Sequence, residues 1–265
     1  MKDILLTTVC NDEYVLGAKV MLYSMKKNIN NLDRCDFKIY YNDTVAPLSE
    51  ENKESFRKII PDIIIEHVDK ECYLNSKIPY DRNEGSKAAY LTLESFNETD
   101  YNKVILFDVD MLCIGDISDL FDAELQFGIW KGNTGFVVLG RKYRNQYVYN
   151  ALTSKIQSHN GDFMDQGIIN ALFKNHFEMI SRSYNQYPLS TCTDDTRILH
   201  WAHYDHVKPW KLDEWKDKID LFQDVEQDYV YLGPDIGNVP TLTCKPFFDL
   251  WEEYRVELES NNEHN

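Results

Sequence analysis

The 265-residue sequence contains no CxxC pair, and its six cysteines, at 10, 35, 72, 113, 192 and 244, stand far apart. Four lie in or beside apolar runs, so buried reduced thiols are expected rather than a disulfide framework. No apolar run approaches the roughly 18 residues of a membrane span, and no membrane insertion is expected. The opening Met1-Lys2-Asp3-Ile4-Leu5-Leu6 soon meets Asn11-Asp12-Glu13. That run is too short for a signal-peptide core and reads as a first buried strand. A soluble, cytoplasmic protein is the expectation. Basic residues are also scarce: 28 Lys and Arg face 44 Asp and Glu, a formal net charge of −16. Nucleic acid and anionic membrane are thereby excluded as main partners. A phosphate-bearing substrate would need a local cation, from Lys or Arg or from a bound metal.

No internal repeat, low-complexity linker or domain boundary is visible, so one domain over residues 1–265 is expected. Its polar, acidic end, about 252–265, reads as a frayed tail. Seventeen tyrosines, 13 phenylalanines and 5 tryptophans suffice for a sizeable core. Strand-like runs cover Ile4–Val9, Phe37–Tyr41, Ile63–Val68 and Val104–Phe107, with helical patterns over Tyr14–Asn28, Ser49–Ile59 and Ser86–Phe96. That alternation predicts an α/β fold with a mainly parallel central sheet and helices on both faces. Beyond Asp110 the strands Phe127–Trp130 and Gly135–Leu139 lie close together, so the sheet should be mixed at one side. Helices are expected over Tyr143–Gln157 and Gln166–Phe173, and Ile198-Leu199 begins a final buried strand.

The leading site candidate is Phe107-Asp108-Val109-Asp110, at the end of a buried strand, where α/β sheets place ligands. If extended geometry persists, alternate residues share a face and both carboxylates converge on one ion. With phosphate oxygens they would suit Mg²⁺ or Mn²⁺. Three further segments stand in order along the chain. They are Asn133-Thr134-Gly135 before a strand, Asp162-Phe163-Met164-Asp165-Gln166-Gly167 opening a helix, and His200 ahead of Lys208-Pro209-Trp210. Each has a plainer role: a turn, a helix cap, a satisfied histidine, a packed Pro-Trp.

Taken together these motifs resemble the glycogenin-like retaining glycosyltransferases of family 8, which have a GT-A fold. The resemblance runs from Ile4 to Trp210. It implies that Thr8, Asn11 and Tyr14 hold the uridine, and that Asp108 and Asp110 bind metal, with Asp108 also near the ribose. It places Asn133 and Thr134 on the donor sugar and Asp162, Asp165 and Gln166 at the reaction centre. Lys208 would grip the pyrophosphate. The third metal ligand is His200 or His203. His200 fits the strand-then-His pattern, eight residues before Lys208 where the family usually has six. The family often carries Arg or Lys where this chain has Thr92, and Lys87 or Arg82 could supply that charge.

The resemblance implies transfer of a hexosyl group, glucose first, from a UDP-sugar to a hydroxyl of a glycan or protein, with retention. A histidine nitrogen beside two carboxylates favours Mn²⁺ over Mg²⁺. Asp165 is the candidate nucleophile and Gln166 a second participant, with a front-face reaction left open. Asp162 is assigned to sugar hydroxyls. A homodimer is left open. One alternative is a UDP-sugar-binding protein of the same fold without turnover. Another is an aspartate-nucleophile phosphatase with Asp194-Asp195 as its late acidic pair. That reading leaves N-T-G, D-Q-G and K-P-W unexplained and finds Leu112 where Thr or Val is wanted.

Overall fold

The computed structural model describes residues 2–78, 84–189, 191–203, 207–212, 214, 227–231 and 238–263. The chain divides into two compact units. The first comprises Met1–Val15, Ile29–Val109 and Ile117–Ser181; the second comprises Leu16–Asn28, Asp110–Asp116 and Arg182–Asn265.

The first unit is built on a seven-stranded sheet. Its strands are β1 (Ile4–Val9), β2 (Cys35–Tyr41), β3 (Ile64–His67), β4 (Lys103–Phe107), β6 (Phe127–Trp130), β7 (Asn133–Gly140) and β8 (Glu178–Met179). The order is β3-β2-β1-β4-β7-β6-β8. Strands β3, β2, β1 and β4 run parallel, with Ile4 opposite both Cys35 and Lys103. β7 is antiparallel to β4 and to β6, so the mixed side falls where the sequence placed it. All of β4 is buried, as a continuous apolar run predicts for a strand covered on both faces. The helices of this unit are α2 (Glu50–Ile59), α3 (Glu71–Leu74), α4 (Gln146–Ile156) and α5 (Met164–Phe173). Ser49 caps α2 through its hydroxyl, which accepts from Asn52 N.

The 86–96 segment departs from expectation. It is not an α-helix but a succession of 3₁₀ turns over Glu84–Asn97, unusually long for that conformation. Tertiary bonds sustain it. Buried Glu94 accepts from Tyr73 Oη and Tyr149 Oη, both at 2.6 Å, and from Lys70 Nζ at 2.7 and 2.8 Å. Residues Tyr90–Phe96 are all buried.

In the second unit, β5 (Met111–Cys113) pairs antiparallel with β9 (Ile198–His200), and β10 (Tyr229–Tyr231) pairs with β11 (Asn238–Pro240). The β10–β11 ribbon was not anticipated. Helix α1 (Val15–Asn28), whose last thirteen residues lie here, is tied to β5 by Asn28 Nδ2 on Cys113 O and by Cys113 N on Ser24 Oγ. The frayed tail is corrected: α6 (Lys245–Glu263) carries helix through most of it. Trp251, Tyr254 and Leu258 form a buried stripe at helical spacing, and Arg255 pairs with Glu252 and Glu259. The acidic composition hid that stripe.

Removing the Glu94 carboxylate strands one lysine and two phenols beneath the 3₁₀ segment. Glu94→Ala should cost about 3 kcal/mol of stability. Urea denaturation, with Glu94→Gln losing less, checks this.

Candidate active site

β4 ends at Phe107, and Asp108 N donates to Gly135 O at 2.8 Å. Val109 and Asp110 then form a turn into β5. The extended geometry that the alternation argument required therefore stops before both aspartates are reached. The chain bends out of the sheet there, and β5 lies in the second unit.

In that unit Asp110 is the centre of a buried polar group. Its Oδ2 accepts from Lys208 Nζ at 2.7 Å, and its Oδ1 lies 3.2 Å from His200 Nε2. Met111 pairs with His200 across β5 and β9, and Trp201 N donates to Asp110 O, so backbone bonds fix the group. Burial pushes the Asp110 carboxyl up, but Lys208 and His200 outweigh it and hold the carboxyl well below the usual range. His200 is buried, and its Nδ1 lies 2.8 Å from Asn185 Oδ1. An amide oxygen can only accept, so Nδ1 carries a proton and Nε2 is the nitrogen that faces the Asp110 carboxylate. That contact is favourable only with a proton or a cation between the two atoms. The donor set thus fits a divalent ion, with Asn185 as the ring-orienting partner. Nothing in the sequence singled out Asn185, a loop amide among many.

Lys208 also donates to Trp201 O at 3.0 Å and precedes the 3₁₀ turn Pro209–Lys211. Trp210 rests on Gly17, where an added Cβ would lie 2.4 Å from its ring. The K-P-W segment and the glycine after the first motif are therefore one packed contact. His203 ends the turn Trp201–His203, and its side chain lies outside the described residues.

In the first unit, β6 and β7 are joined by Lys131 (φ 49°) and Gly132 (φ 75°), both left-handed, as a two-residue hairpin turn of the primed type requires. The turn delivers Asn133, Thr134 and Gly135 to the head of β7. Asn133 Oδ1 accepts from Gly135 N, and Gln166 Oε1 accepts from Thr134 N at 3.2 Å. The N-T-G and D-Q-G segments are thus bonded to each other. Asp165, in the first turn of α5, is buried. Its Oδ2 lies 3.1 Å from Thr92 Oγ1. Burial, with the Asp108 charge adding, pushes its carboxyl up to about 7, against hydrogen bonds from Thr134, Thr92 and the Gln166 backbone. Asp162 is exposed and accepts from Asn160 Nδ2 at 2.6 Å.

Neither aspartate caps α5. The cap position is Phe163, which is left-handed like Met164 after it, at a cost of order 1–3 kcal/mol each. Asn11 Oδ1 caps a 3₁₀ turn, accepting from Glu13 N and Tyr14 N. Thr8 is buried, and Tyr14 is half-buried. Lys87 is held by Leu74 O and Glu84, and Arg82 lies outside the described residues.

The sheet order, with a buried strand ending in an acidic segment, is that of a GT-A type α/β protein. Residues 5–131 match the family model described as glycosyl transferase family 8. A glycogenin of Neurospora crassa is 22% identical over 218 residues, which cover 79% of this chain and 29% of that protein. The chain thus corresponds to less than a third of that relative's length. Among solved structures, the galactosyltransferase LgtC in complex with donor and acceptor sugar analogs has a TM-score of 0.63 at 19% identity, covering 78% of this chain and 89% of its own. GlyE of Streptococcus pneumoniae has a TM-score of 0.62 at 15% identity, over 100% and 64%. No helix among the described residues is long and apolar enough to cross a membrane.

Asp165 supplies a test of its surroundings. With its carboxyl raised to about 7, the folded protein binds this proton more tightly than the unfolded chain between about pH 4 and 7. The associated stability is full below that window and is lost as pH rises through 7. Asp165→Asn, which cannot ionise, should therefore gain on the order of 4 kcal/mol over wild type at pH 8 and nothing at pH 4. Urea denaturation at the two pH values measures the difference.

Proposed function

We propose that the chain is a metal-dependent glycosyltransferase that moves a hexosyl group, glucose by preference, from a UDP-sugar to a hydroxyl acceptor with retention. The observation that carries this reading is Asp110 bonded to Lys208 and lying 3.2 Å from the His200 imidazole. The match of residues 5–131 to glycosyl transferase family 8 supports it. Asp110, His200 and the neighbouring Asp108 are the residues that would hold Mn²⁺ or Mg²⁺. Bound there, the ion would neutralise charge on the departing diphosphate. Lys208 binds the same phosphates through its ammonium. Thr8, Asn11 and Tyr14 serve the uridine, and Asn133 and Thr134 the donor sugar.

Asp165 and Gln166 act at the anomeric centre and Asp162 on sugar hydroxyls. A carboxyl raised to about 7 matches a group that must exist ionised and neutral near working pH. The acceptor is a glycan or a protein hydroxyl, and both units are read as one glycosyltransferase domain. Six unbridged cysteines agree with a cytoplasmic setting.

A panel of UDP- and GDP-sugars with Mn²⁺, read by release of nucleoside diphosphate, tests the function. Turnover should be confined to UDP-sugars. Release from no donor would leave a binding protein of this fold. Asp110→Ala should abolish metal-dependent turnover, and His200→Ala should raise the Mn²⁺ requirement at least tenfold. Lys208→Ala should weaken UDP and UDP-sugar alike, by roughly 10–100-fold for a charge-assisted contact. A loss confined to the sugar-bearing donor would move Lys208 to the hexose.

A further inference from the structure

Two threonine hydroxyls, of Thr92 and Thr134, and the Gln166 backbone address the buried Asp165 carboxyl. Of these, Thr92 stands on the 3₁₀ segment and is itself buried. Its Oγ1 donates to Ala89 O at 2.7 Å, one turn back, and lies 3.1 Å from Asp165 Oδ2. A hydroxyl has one proton and two acceptor lone pairs. It can turn that proton to a charged carboxylate, or keep it on Ala89 and accept from a neutral carboxyl. Either arrangement leaves both side chains where they are. Two residues further on, Glu94 is pinned by Tyr73, Tyr149 and Lys70, so the turn bearing Thr92 is anchored. The β-branched side chain adds its own stiffness at χ1.

We infer that Thr92 is the positioning residue for Asp165, its neutral hydroxyl fixing the carboxyl at a place where the family often carries a basic side chain. The inference rests on Asp165 acting at the reaction centre. Loss of the hydroxyl should therefore misorient Asp165 and slow the chemical step without weakening nucleotide binding.

The test compares Thr92→Val, which keeps the shape, with Thr92→Ser, which keeps the hydroxyl. Steady-state kinetics with UDP-sugar and Mn²⁺ should show kcat down 10–100-fold in the valine variant, with donor KM within about threefold. The serine variant should recover kcat to within about threefold of wild type. A second arm needs no turnover: the Asp165 carboxyl ¹³C resonance, identified by its loss in Asp165→Asn, should shift in the valine variant and return in the serine variant. Wild-type kcat in Thr92→Val, or equal loss in both variants, overturns the inference. So does an unmoved resonance, which decides the matter even if the wild-type chain transfers no sugar.

Discussion

Burying a carboxylate is costly unless it is partnered, and Glu94, Asp110 and Asp165 meet that constraint in different ways. Glu94 is partnered by a lysine and two phenols and serves as scaffold. Asp110 is partnered by Lys208 and an oriented imidazole, and stays ionised. Asp165 has hydroxyls and an amide, and its carboxyl rises to about 7. The partners, more than the carboxyl itself, decide what each group can do. Each set also fixes a segment: the 3₁₀ turns by Glu94, the β5–β9 region by Asp110, the head of α5 by Asp165.

Much of the fold was legible because its signals are local. β1, β4 and β6 are apolar runs ended by turn residues, and α2 begins at a serine cap followed by acidic residues. Where nonlocal bonds decide, reading failed. Residues 84–97 have helical periodicity, but the Glu94 network and the Thr92 contact hold them in 3₁₀ turns. The end of the chain looks like solvent-facing polar sequence until Trp251, Tyr254 and Leu258 are seen on one face of α6.

The site divides along the same line. Its motifs stand out as sequence, and the Asp110, His200 and Lys208 group follows from them. The reason first offered for two converging aspartates does not hold, since the strand stops at Phe107 and a turn carries Asp110. Asn185, the partner that sets the imidazole tautomer, gave no signal. Second partners of this kind are chosen by proximity in the fold, and a lone asparagine in a loop has no pattern to announce it. Gly17 is the converse: a glycine in a helix is a marked residue, and the Trp210 ring against it explains the mark.

Charge arithmetic links the Asp110 group to the chain as a whole. With a formal net charge of −16, the protein repels a diphosphate unless some site is locally positive. Lys208 does not achieve this alone, because its ammonium is bound to the Asp110 carboxylate and the pair sums to zero. Asp108, two residues away, adds a negative charge. A divalent ion taken up by the carboxylates would reverse that balance and free the ammonium for a phosphate. An ion held there would share with Lys208 the carboxylate of Asp110.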